Sequence, residues 1–189
     1  MGDYMEIVFV RHGESDKSIV DERGFIGMGR EMAPLTEKGI RQAEEATLSP
    51  KLRNAEIILS SPYTRALQTA AIISRKIGVE IKVEVDLHEF IPDKAFLVKG
   101  KIESDDLHKD FIECQGEYPN GNKKKWETIS EIIARSQPVL NRYLELGYKK
   151  IIIVAHGGVI RRYTGIGMIA HCEVMTIQYE KDFKCFQWI

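Results

Sequence analysis

The chain has 189 residues, of which 43% are hydrophobic and 29% are charged, and its formal net charge is −1. These proportions are ordinary for a globular domain that can bury its own core. The near-neutral charge argues against nucleic acid as a partner, because duplex binding needs a basic surface. The longest lysine run, Lys123–Lys125 in the polar segment 122–125, is typical of a solvated loop.

The N-terminal residues, the lengths of the apolar runs and the cysteines indicate the compartment of the protein. The first ten residues, MGDYMEIVFV, are too short and too acidic for a secretory signal, and no apolar run approaches membrane-spanning length. Three cysteines without CxxC spacing favour reduced thiols over a disulfide framework or a zinc site. We therefore expect a cytoplasmic protein with no membrane partner.

Four segments rich in Ile, Val and Phe are predicted as strands. They are Glu6–Val10, Glu56–Leu59, Ile81–Val85 and Lys150–Val154. The first and the last contain almost continuous apolar runs, which is typical of central strands that are covered on both faces.

Three segments with helical periodicity alternate with these strands, which is the pattern of an α/β domain. They are Thr36–Thr47, Pro62–Ile77 and Trp126–Leu146. Ser61 is predicted to cap the second helix, with Pro62 as its first residue. Pro138 is expected to kink or split the third.

Two further segments differ from this alternation. The C-terminal sequence VMTIQYEKDFKCFQWI predicts two strands joined by a turn at Glu180–Asp182, added antiparallel to the sheet edge. An edge strand that ends in Trp188-Ile189 would be compatible with a homodimer. Residues 87–126 carry many charges, prolines and glycines with weak periodicity, so we expect a capping insert within a single domain of residues 1–189.

Polar side chains follow three of the predicted strands. Arg11-His12 follows the first, Arg65 lies just after the second, and His156-Gly157 follows the fourth. Carboxyl ends of parallel strands meet at one edge of a sheet, where ligands bind. Adjoining glycines allow close backbone approach, and helix starts supply free N–H groups. Such a cationic cluster needs an anion, and arginine forks match phosphate oxygens.

The histidines indicate what happens to that phosphate. A neutral imidazole is a competent nucleophile near pH 7, and neighbouring arginines favour the uncharged form. A backbone carbonyl bonded to one ring nitrogen would aim the other at phosphorus. The leaving alkoxide then needs a proton, and Glu89, in DLHEF after the third strand, is the candidate acid.

Less specific interpretations of the same residues remain open. Arg11 could form a structural ion pair with Glu14, Arg65 could form a surface ion pair, and Glu89 could be a surface carboxylate. Glu14 is expected to be structural and to accept backbone N–H groups below the pocket. His108 and His171 are expected to be surface or satisfied histidines. No metal site is expected at His12 and His156, because adjacent arginines would repel a cation.

Six segments together resemble the histidine phosphatase superfamily, whose fold is phosphoglycerate-mutase-like. They are VRHGES, PLTEKGIRQAE, SSPYTRALQTA, LHEF, ETISEIIARS and VAHGGVIR, in the order of the family and at similar separations. The resemblance implies a three-layer α/β/α fold with a mixed, mostly parallel central sheet.

The same resemblance assigns roles to individual residues. It makes His12 the phosphoryl acceptor, Arg11 and Arg65 phosphate clamps, Glu89 the general acid and His156 the second histidine. Ser18, where the family often has Asn, is implied in the phosphate pocket, and Gly157 lies beside His156 as a substrate-binding position. Two departures blur the substrate: a lysine-rich insertion near the pocket rim, and His88 where the family often has Arg.

The function expected from these residues is phosphomonoester hydrolysis through a covalent phosphohistidine, without metal or cofactor. The substrate would be a small phosphate ester or a phosphoprotein. One alternative is a cofactor-dependent phosphoglycerate mutase, which looks longer between the acid segment and the second histidine. The other is a non-catalytic module that binds phosphate.

Overall fold

The computed structural model describes residues 4–188, except for the side chain of residue 120. The strands are β1 (Met5–Arg11), β2 (Ile57–Ser60), β3 (Ile81–Val83), β4 (Lys150–Ala155) and β5 (Val174–Tyr179). The α-helices are α1 (Ser18–Glu22), α2 (Glu37–Ala46), α3 (Thr64–Ile77), α4 (Lys101–Glu113), α5 (Ile129–Glu145) and α6 (Gly157–Thr164). Short 3-10 helices cover Gly27–Met32, Pro50–Leu52, Val85–Leu87 and Pro119–Gly121.

The five strands form one mixed sheet in the order β3-β2-β4-β1-β5. The pairs β2–β3, β2–β4 and β1–β4 are parallel, and β5 pairs antiparallel with β1. β1 and β4 therefore lie side by side in the interior of the sheet. Their side chains from Ile7 to Val10 and from Ile151 to Ala155 are fully buried, as their apolar sequences predicted.

Alternate residues of the strands enter two separate cores, because side chains of a strand point to opposite faces. Ile7 and Phe9 pack with Ile153 and with helices α5 and α6 on one face. Val8 and Val10 pack with α3 on the other face, through side chains that include Ala66, Ala70 and Ile73. Helices thus cover both faces, and the three-layer α/β/α architecture is confirmed.

Helix α3 begins two residues later than predicted. It starts at Thr64, with Tyr63 at the N-cap position, so Ser61 is not its cap and Pro62 is not its first residue. The reason is that Ser61, the residue after β2, is still hydrogen-bonded to the neighbouring strand: its backbone N–H donates to Val154 O at 3.0 Å. Its hydroxyl bonds a histidine of the site described below.

Helix α5 begins at Ile129 and runs through Pro138 as one helix, so the predicted split does not occur. Its start is fixed by a capping box: Thr128 accepts from the Glu131 N–H, and the Glu131 carboxylate accepts from the Thr128 N–H. The helix has fully buried residues on both sides of Pro138, among them Ile132 and Leu140, which hold both halves against the sheet.

Only one of the two predicted C-terminal strands forms. β5 is the antiparallel edge addition that the sequence predicted, but the described residues after Tyr179 form no strand. They turn back onto α6 instead: Phe186 N–H donates to Arg162 O at 2.8 Å, and Arg162 Nη1 donates to Phe186 O at 3.1 Å. These bonds use backbone groups that a second strand would need. The final predicted residue, Ile189, lies outside the described residues.

The segment that the sequence analysis left without periodicity contains helix α4. None of its residues is fully buried, which explains the weak pattern. Asp110 ties the helix to the following loop, since its carboxylate accepts from Trp126 Nε1 at 2.8 Å and from Lys124 Nζ at 2.9 Å. The extent of a capping insert over 87–126 stays a prediction. No helix within residues 4–188 is long and apolar enough to cross a bilayer.

Candidate active site

The sheet register brings the polar strand ends together. Arg11 is the partner of Ala155, and the His12 N–H donates to Ala155 O at 3.1 Å. On the other side of β4, the Ser61 N–H donates to Val154 O. The residues that follow β1, β4 and β2 therefore lie at one edge of the sheet, as expected for parallel neighbours.

His12 is held by both of its ring nitrogens and is only 6% exposed. Nδ1 lies 2.7 Å from Gly13 O, and Nε2 lies 3.1 Å from Arg65 Nε, which donates to it. Since a carbonyl only accepts, Nδ1 carries the proton and Nε2 keeps its lone pair. A Cβ on Gly13 would lie 2.5 Å from Gly39 O, so only glycine allows α2 to approach this loop.

His156 is fully buried beside His12, and the centroids of the two rings are 5.0 Å apart. Its Nε2 lies 2.7 Å from the Ser61 hydroxyl, while its buried Nδ1 has no hydrogen-bond partner among the described residues. The backbone bond between Ser61 and Val154 therefore places the hydroxyl that orients the second imidazole.

Both imidazoles are neutral at pH 7. Burial lowers the pKa of His12 well below its usual 6.5, and the Arg65 charge lowers it further. The pKa of His156 is also well below 6.5, first because of burial and then because of Arg65. Both side chains therefore keep a ring nitrogen free of protons at neutral pH.

These two lowered pKa values predict acid sensitivity of the fold. The unfolded chain takes up protons near pH 6.5, whereas folded His12 and His156 resist protonation until much lower pH. Their contribution to stability is complete above about pH 6.5 and is lost as the pH falls below it. The free energy of unfolding should fall by up to about 1.4 kcal/mol per pH unit for each histidine.

Urea unfolding at pH 7.5 and pH 5.5 measures this effect. The variant His156→Gln should lose less stability between the two pH values than the wild type, since one buried imidazole is gone. An equal loss in both proteins would contradict the assignment.

Arg65 contacts a carboxylate that the sequence analysis missed. Its Nη1 lies 2.5 Å from Glu31 Oε2, and Glu31 Oε1 lies 2.7 Å from Lys17 Nζ. Burial raises the pKa of Glu31, but the charges of Arg65 and Lys17 outweigh burial and hold it below the usual value. Glu31 thus fixes one edge of the Arg65 guanidinium while Nε faces His12. Its short 3-10 segment carries no periodic signal in the sequence.

Arg11 lies at the end of β1 with its Nη1 donating to Ile169 O at 2.5 Å. Its Nε is buried without a hydrogen-bond partner in residues 4–188. Burial lowers the pKa of Arg11, and the charges of Arg161 and Arg65 add to this effect while Glu89 opposes it. Arg11 therefore has an unsatisfied donor beside other cationic groups, which favours a bound anion.

Glu89 meets the start of α6. Its Oε1 accepts from the Gly158 N–H at 3.0 Å and from the Phe90 N–H at 2.8 Å. Within residues 4–188, Oε2 makes only a longer contact with the Gly158 N–H, at 3.4 Å. A Cβ on Gly158 would lie 2.3 Å from Oε1, so the second glycine after His156 makes room for this carboxylate.

A cavity of about 680 Å³ opens over these groups. Arg11, Arg65, Glu89 and Gly157 line it. His12 and His156 are buried directly behind the lining, where His12 contacts Arg65 and His156 packs against Tyr63, with ring centroids 5.2 Å apart. The structure thus brings together six of the seven residues that the sequence analysis singled out for the site.

Ser18 is the predicted site residue that lies apart. It is exposed, it does not line the cavity, and both its N–H and its hydroxyl are bonded to Asp16. The preceding residue, Lys17, lines the cavity instead. Because Ser18 starts α1, its side chain is used in the turn before that helix.

Glu14 and His171 have neighbours that the sequence analysis did not predict. The Glu14 carboxylate accepts from the Thr36 hydroxyl at 3.1 Å and from Lys38 Nζ at 2.7 Å, rather than from backbone N–H groups. His171 was expected to be a surface or satisfied histidine; it is partly exposed, and its ring centroid lies 5.7 Å from that of His12. It comes from the loop before β5, for which the sequence carries no positional signal.

With this geometry in place, the comparisons with known proteins define the family. The model of the histidine phosphatase superfamily (branch 1) matches residues 7–175. The chain belongs to this superfamily, as its motifs indicated.

Individual relatives carry the names of both phosphatases and mutases. The chain is 30% identical to the uncharacterized phosphatase PhoE of Bacillus subtilis, over 82% of this chain and 72% of the relative. It is 33% identical to phosphoglycerate mutase-like protein 4 of Arabidopsis thaliana, over 84% of this chain and 69% of the relative. These names support a phosphatase-type enzyme.

Solved structures show the same fold. A mycobacterial glucosyl-3-phosphoglycerate phosphatase superposes with a TM-score of 0.70 at 19% identity, covering 93% of this chain and 90% of the other. The phosphoglycerate mutase of Bacillus anthracis superposes with a TM-score of 0.67 at 16% identity, covering 100% of this chain and 93% of the other. At these identities the likeness concerns the fold alone.

Proposed function

We propose that the protein is a metal-independent phosphomonoester hydrolase that works through a phosphohistidine at His12. The observation that carries this proposal is the double fixation of the His12 ring. Nδ1 is bonded to Gly13 O, and the unprotonated Nε2 is within 3.1 Å of a guanidinium nitrogen of Arg65. A phosphoryl group that bonds to Nε2 would therefore come within reach of Arg65.

In the first step, the Arg65 Nε–H moves from His12 Nε2 to an oxygen of the bound phosphate, which frees the Nε2 lone pair. That lone pair attacks phosphorus and the P–O ester bond breaks. Arg11 and Arg65 stabilise the charge that spreads over the oxygens of the transferring group, and His156 adds a further polar contact. Glu89 donates a proton to the leaving alkoxide. Its Oε2, which makes only the 3.4 Å contact with Gly158 among the described residues, is the oxygen that is free to carry this proton.

In the second step, water attacks the phosphohistidine. Glu89, now a carboxylate, takes a proton from that water, and the N–P bond breaks to release inorganic phosphate. The proton that was given in the first step is thereby recovered, and His12 returns to its neutral form.

Transfer to water is favoured over return to the substrate because the chain between Glu89 and His156 is short for a cofactor-dependent mutase. Phosphorus NMR with 3-phosphoglycerate separates the two activities: a hydrolase accumulates free phosphate, whereas a mutase accumulates 2-phosphoglycerate. Predominant isomerisation would overturn the hydrolase assignment.

Metal independence gives a second test. Hydrolysis of p-nitrophenyl phosphate should persist unchanged in excess EDTA, because arginines, histidines and a carboxylate supply every role in the two steps. The same assay is run with added Mg²⁺ and Zn²⁺. Loss of activity in EDTA that returns with a divalent cation would contradict the mechanism. Tight phosphate binding without turnover would favour the non-catalytic alternative.

A further inference from the structure

Only some of the cationic side chains around the cavity are paired with carboxylates. Six cationic side chains line it: Arg11, Lys17, Arg30, Arg65, Arg161 and Arg162. Lys17 and Arg65 share the Glu31 carboxylate, and Arg30 pairs with Asp21 at 2.7 Å. The other three arginines have no carboxylate within ion-pairing distance in the part of the chain that the structure describes.

Arg161 and Arg162 form a group of their own on α6. Within residues 4–188 the Nε of each is buried without a hydrogen-bond partner. Arg162 is only 4% exposed, and its one side-chain hydrogen bond within residues 4–188 goes to Phe186 O. Burial, followed by the charge of Arg161, lowers the pKa of Arg162 to about 10.

Arg161 points toward the end of the cavity that holds the catalytic residues. Residues four apart lie on the same face of a helix, and side chains lean toward the helix N-terminus. Accordingly, Arg161 Nη2 lies 3.8 Å from the point where a Cβ on Gly157 would be. The guanidinium therefore lies against the first turn of α6, close enough to Arg11 for its charge to lower the pKa of that residue.

A structural role does not account for both arginines. Arg162 ties the C-terminal segment to α6, but one backbone carbonyl leaves its charge unbalanced. Arg161 makes no hydrogen bond that would fix its guanidinium among the described residues. Removing guanidinium groups from water without a partner is unfavourable, and in proteins such groups are paired or bind an anion.

We propose that Arg161 and Arg162 form a second anion subsite, which binds a carboxylate of the substrate whose phosphate is attacked by His12. The inference rests on the proposed function, since it assumes that the phosphoryl group occupies the His12 end. Preferred substrates would then be phosphate monoesters of hydroxy acids.

The charge of the cavity favours a carboxylate over a second phosphate. Three cations of the lining, Arg11, Arg161 and Arg162, have no ion-pair partner among the described residues, whereas Glu31 and Asp21 pair with the other three. When Glu89 carries the proton that it donates, it cancels none of these three charges. A phosphate monoester dianion neutralises two of them, and one carboxylate matches the third.

A matched pair of substrates tests the subsite. 3-Phosphoglycerate and glycerol 3-phosphate differ only in a carboxylate that replaces a hydroxymethyl group, and release of free phosphate gives kcat/KM for each. The wild type should favour 3-phosphoglycerate by about tenfold to a hundredfold, the range of one or two charge-assisted hydrogen bonds. Arg161→Gln and Arg162→Gln should each reduce this ratio by about tenfold or more.

Controls keep the outcome interpretable. Arg75→Gln removes an exposed arginine of α3 and should keep the wild-type ratio. Arg162→Gln also loses the bond to Phe186, so its folding is checked by urea unfolding, and Arg161→Gln supplies the test if it does not fold. A ratio near one in the wild type, or one that both variants retain, would overturn the subsite.

Two further outcomes are informative. If fructose 1,6-bisphosphate is preferred over fructose 6-phosphate, and Arg161→Gln abolishes that preference, the group bound is a phosphate and the carboxylate assignment is wrong. If p-nitrophenyl phosphate is not hydrolysed by any of the proteins, the proposed function fails. Hydrolysis of p-nitrophenyl phosphate without selectivity means that only the subsite fails.

Discussion

His12→Ala is expected to lower kcat/KM for p-nitrophenyl phosphate by roughly four to six orders of magnitude, as when other covalent nucleophiles are deleted. No other side chain in the described site presents an unprotonated nitrogen to Arg65. The nitrogen of His156 that makes a hydrogen bond faces Ser61 instead. Removing His12 therefore removes the bond that divides the reaction into two steps.

Rapid acid-free quenching with radiolabelled substrate measures the intermediate directly. Wild-type protein should carry an acid-labile, base-stable label at His12, and His12→Ala should carry none. His171→Gln is the matched control, because its ring lies 5.7 Å from His12 but has no proposed role. It should still become labelled. If His12→Ala unfolds, His12→Gln repeats the test, because glutamine fills the space that alanine would leave empty. Labelling of either variant would contradict the proposal.

Glu89→Gln is expected to have an effect that depends on the leaving group. The amide keeps a carbonyl oxygen that can accept from the Gly158 and Phe90 N–H groups, as Oε1 does now at 3.0 and 2.8 Å. It cannot donate a proton in the way a carboxylic acid does. Hydrolysis of alkyl phosphates should fall about 10²–10⁴-fold, the range of general acid catalysis. The first step with p-nitrophenyl phosphate should change far less, because its leaving group needs no proton.

Burst kinetics separate the two steps. Glu89→Gln should release the first equivalent of p-nitrophenol quickly and then turn over slowly, because the water that attacks phosphohistidine also needs the carboxylate as a base. Asp105→Asn removes another carboxylate of the cavity wall that has no role in the reaction, and it should behave as the wild type. An equal loss for alkyl and p-nitrophenyl esters in the first step would mean that Glu89 is not the acid.

The prediction was strongest where local sequence and burial agree. β1 and β4 were predicted within one residue at each end, because a buried parallel strand requires a continuous apolar run. The ends of the helices were predicted less accurately. Ser61 carries the side chain of a typical cap, but its backbone hydrogen bond to Val154 holds it beside the neighbouring strand. Tertiary hydrogen bonds therefore overrode a local capping preference.

Residues that matter only through distant contacts escaped prediction. Glu31 lies 34 positions before Arg65, and nothing in its own segment indicates that the two are paired. Helix α4 has no fully buried residue, so it lacks the apolar periodicity that identifies a helix. Ser18, which the family resemblance implied in the phosphate pocket, bonds Asp16 instead.

The amino-acid sequence by itself determined the central strands and the types of reactive group that follow them, since both depend on residues adjacent in the chain. Only the tertiary structure decided which partners those groups have: Glu31 for Arg65, Ser61 for His156, and no carboxylate in the described chain for Arg161 and Arg162. The physical reason is that hydrogen bonds and charge neutralisation act over a few ångströms in space. Distances of that size between remote residues are set by sheet register and helix packing, which a linear pattern does not record.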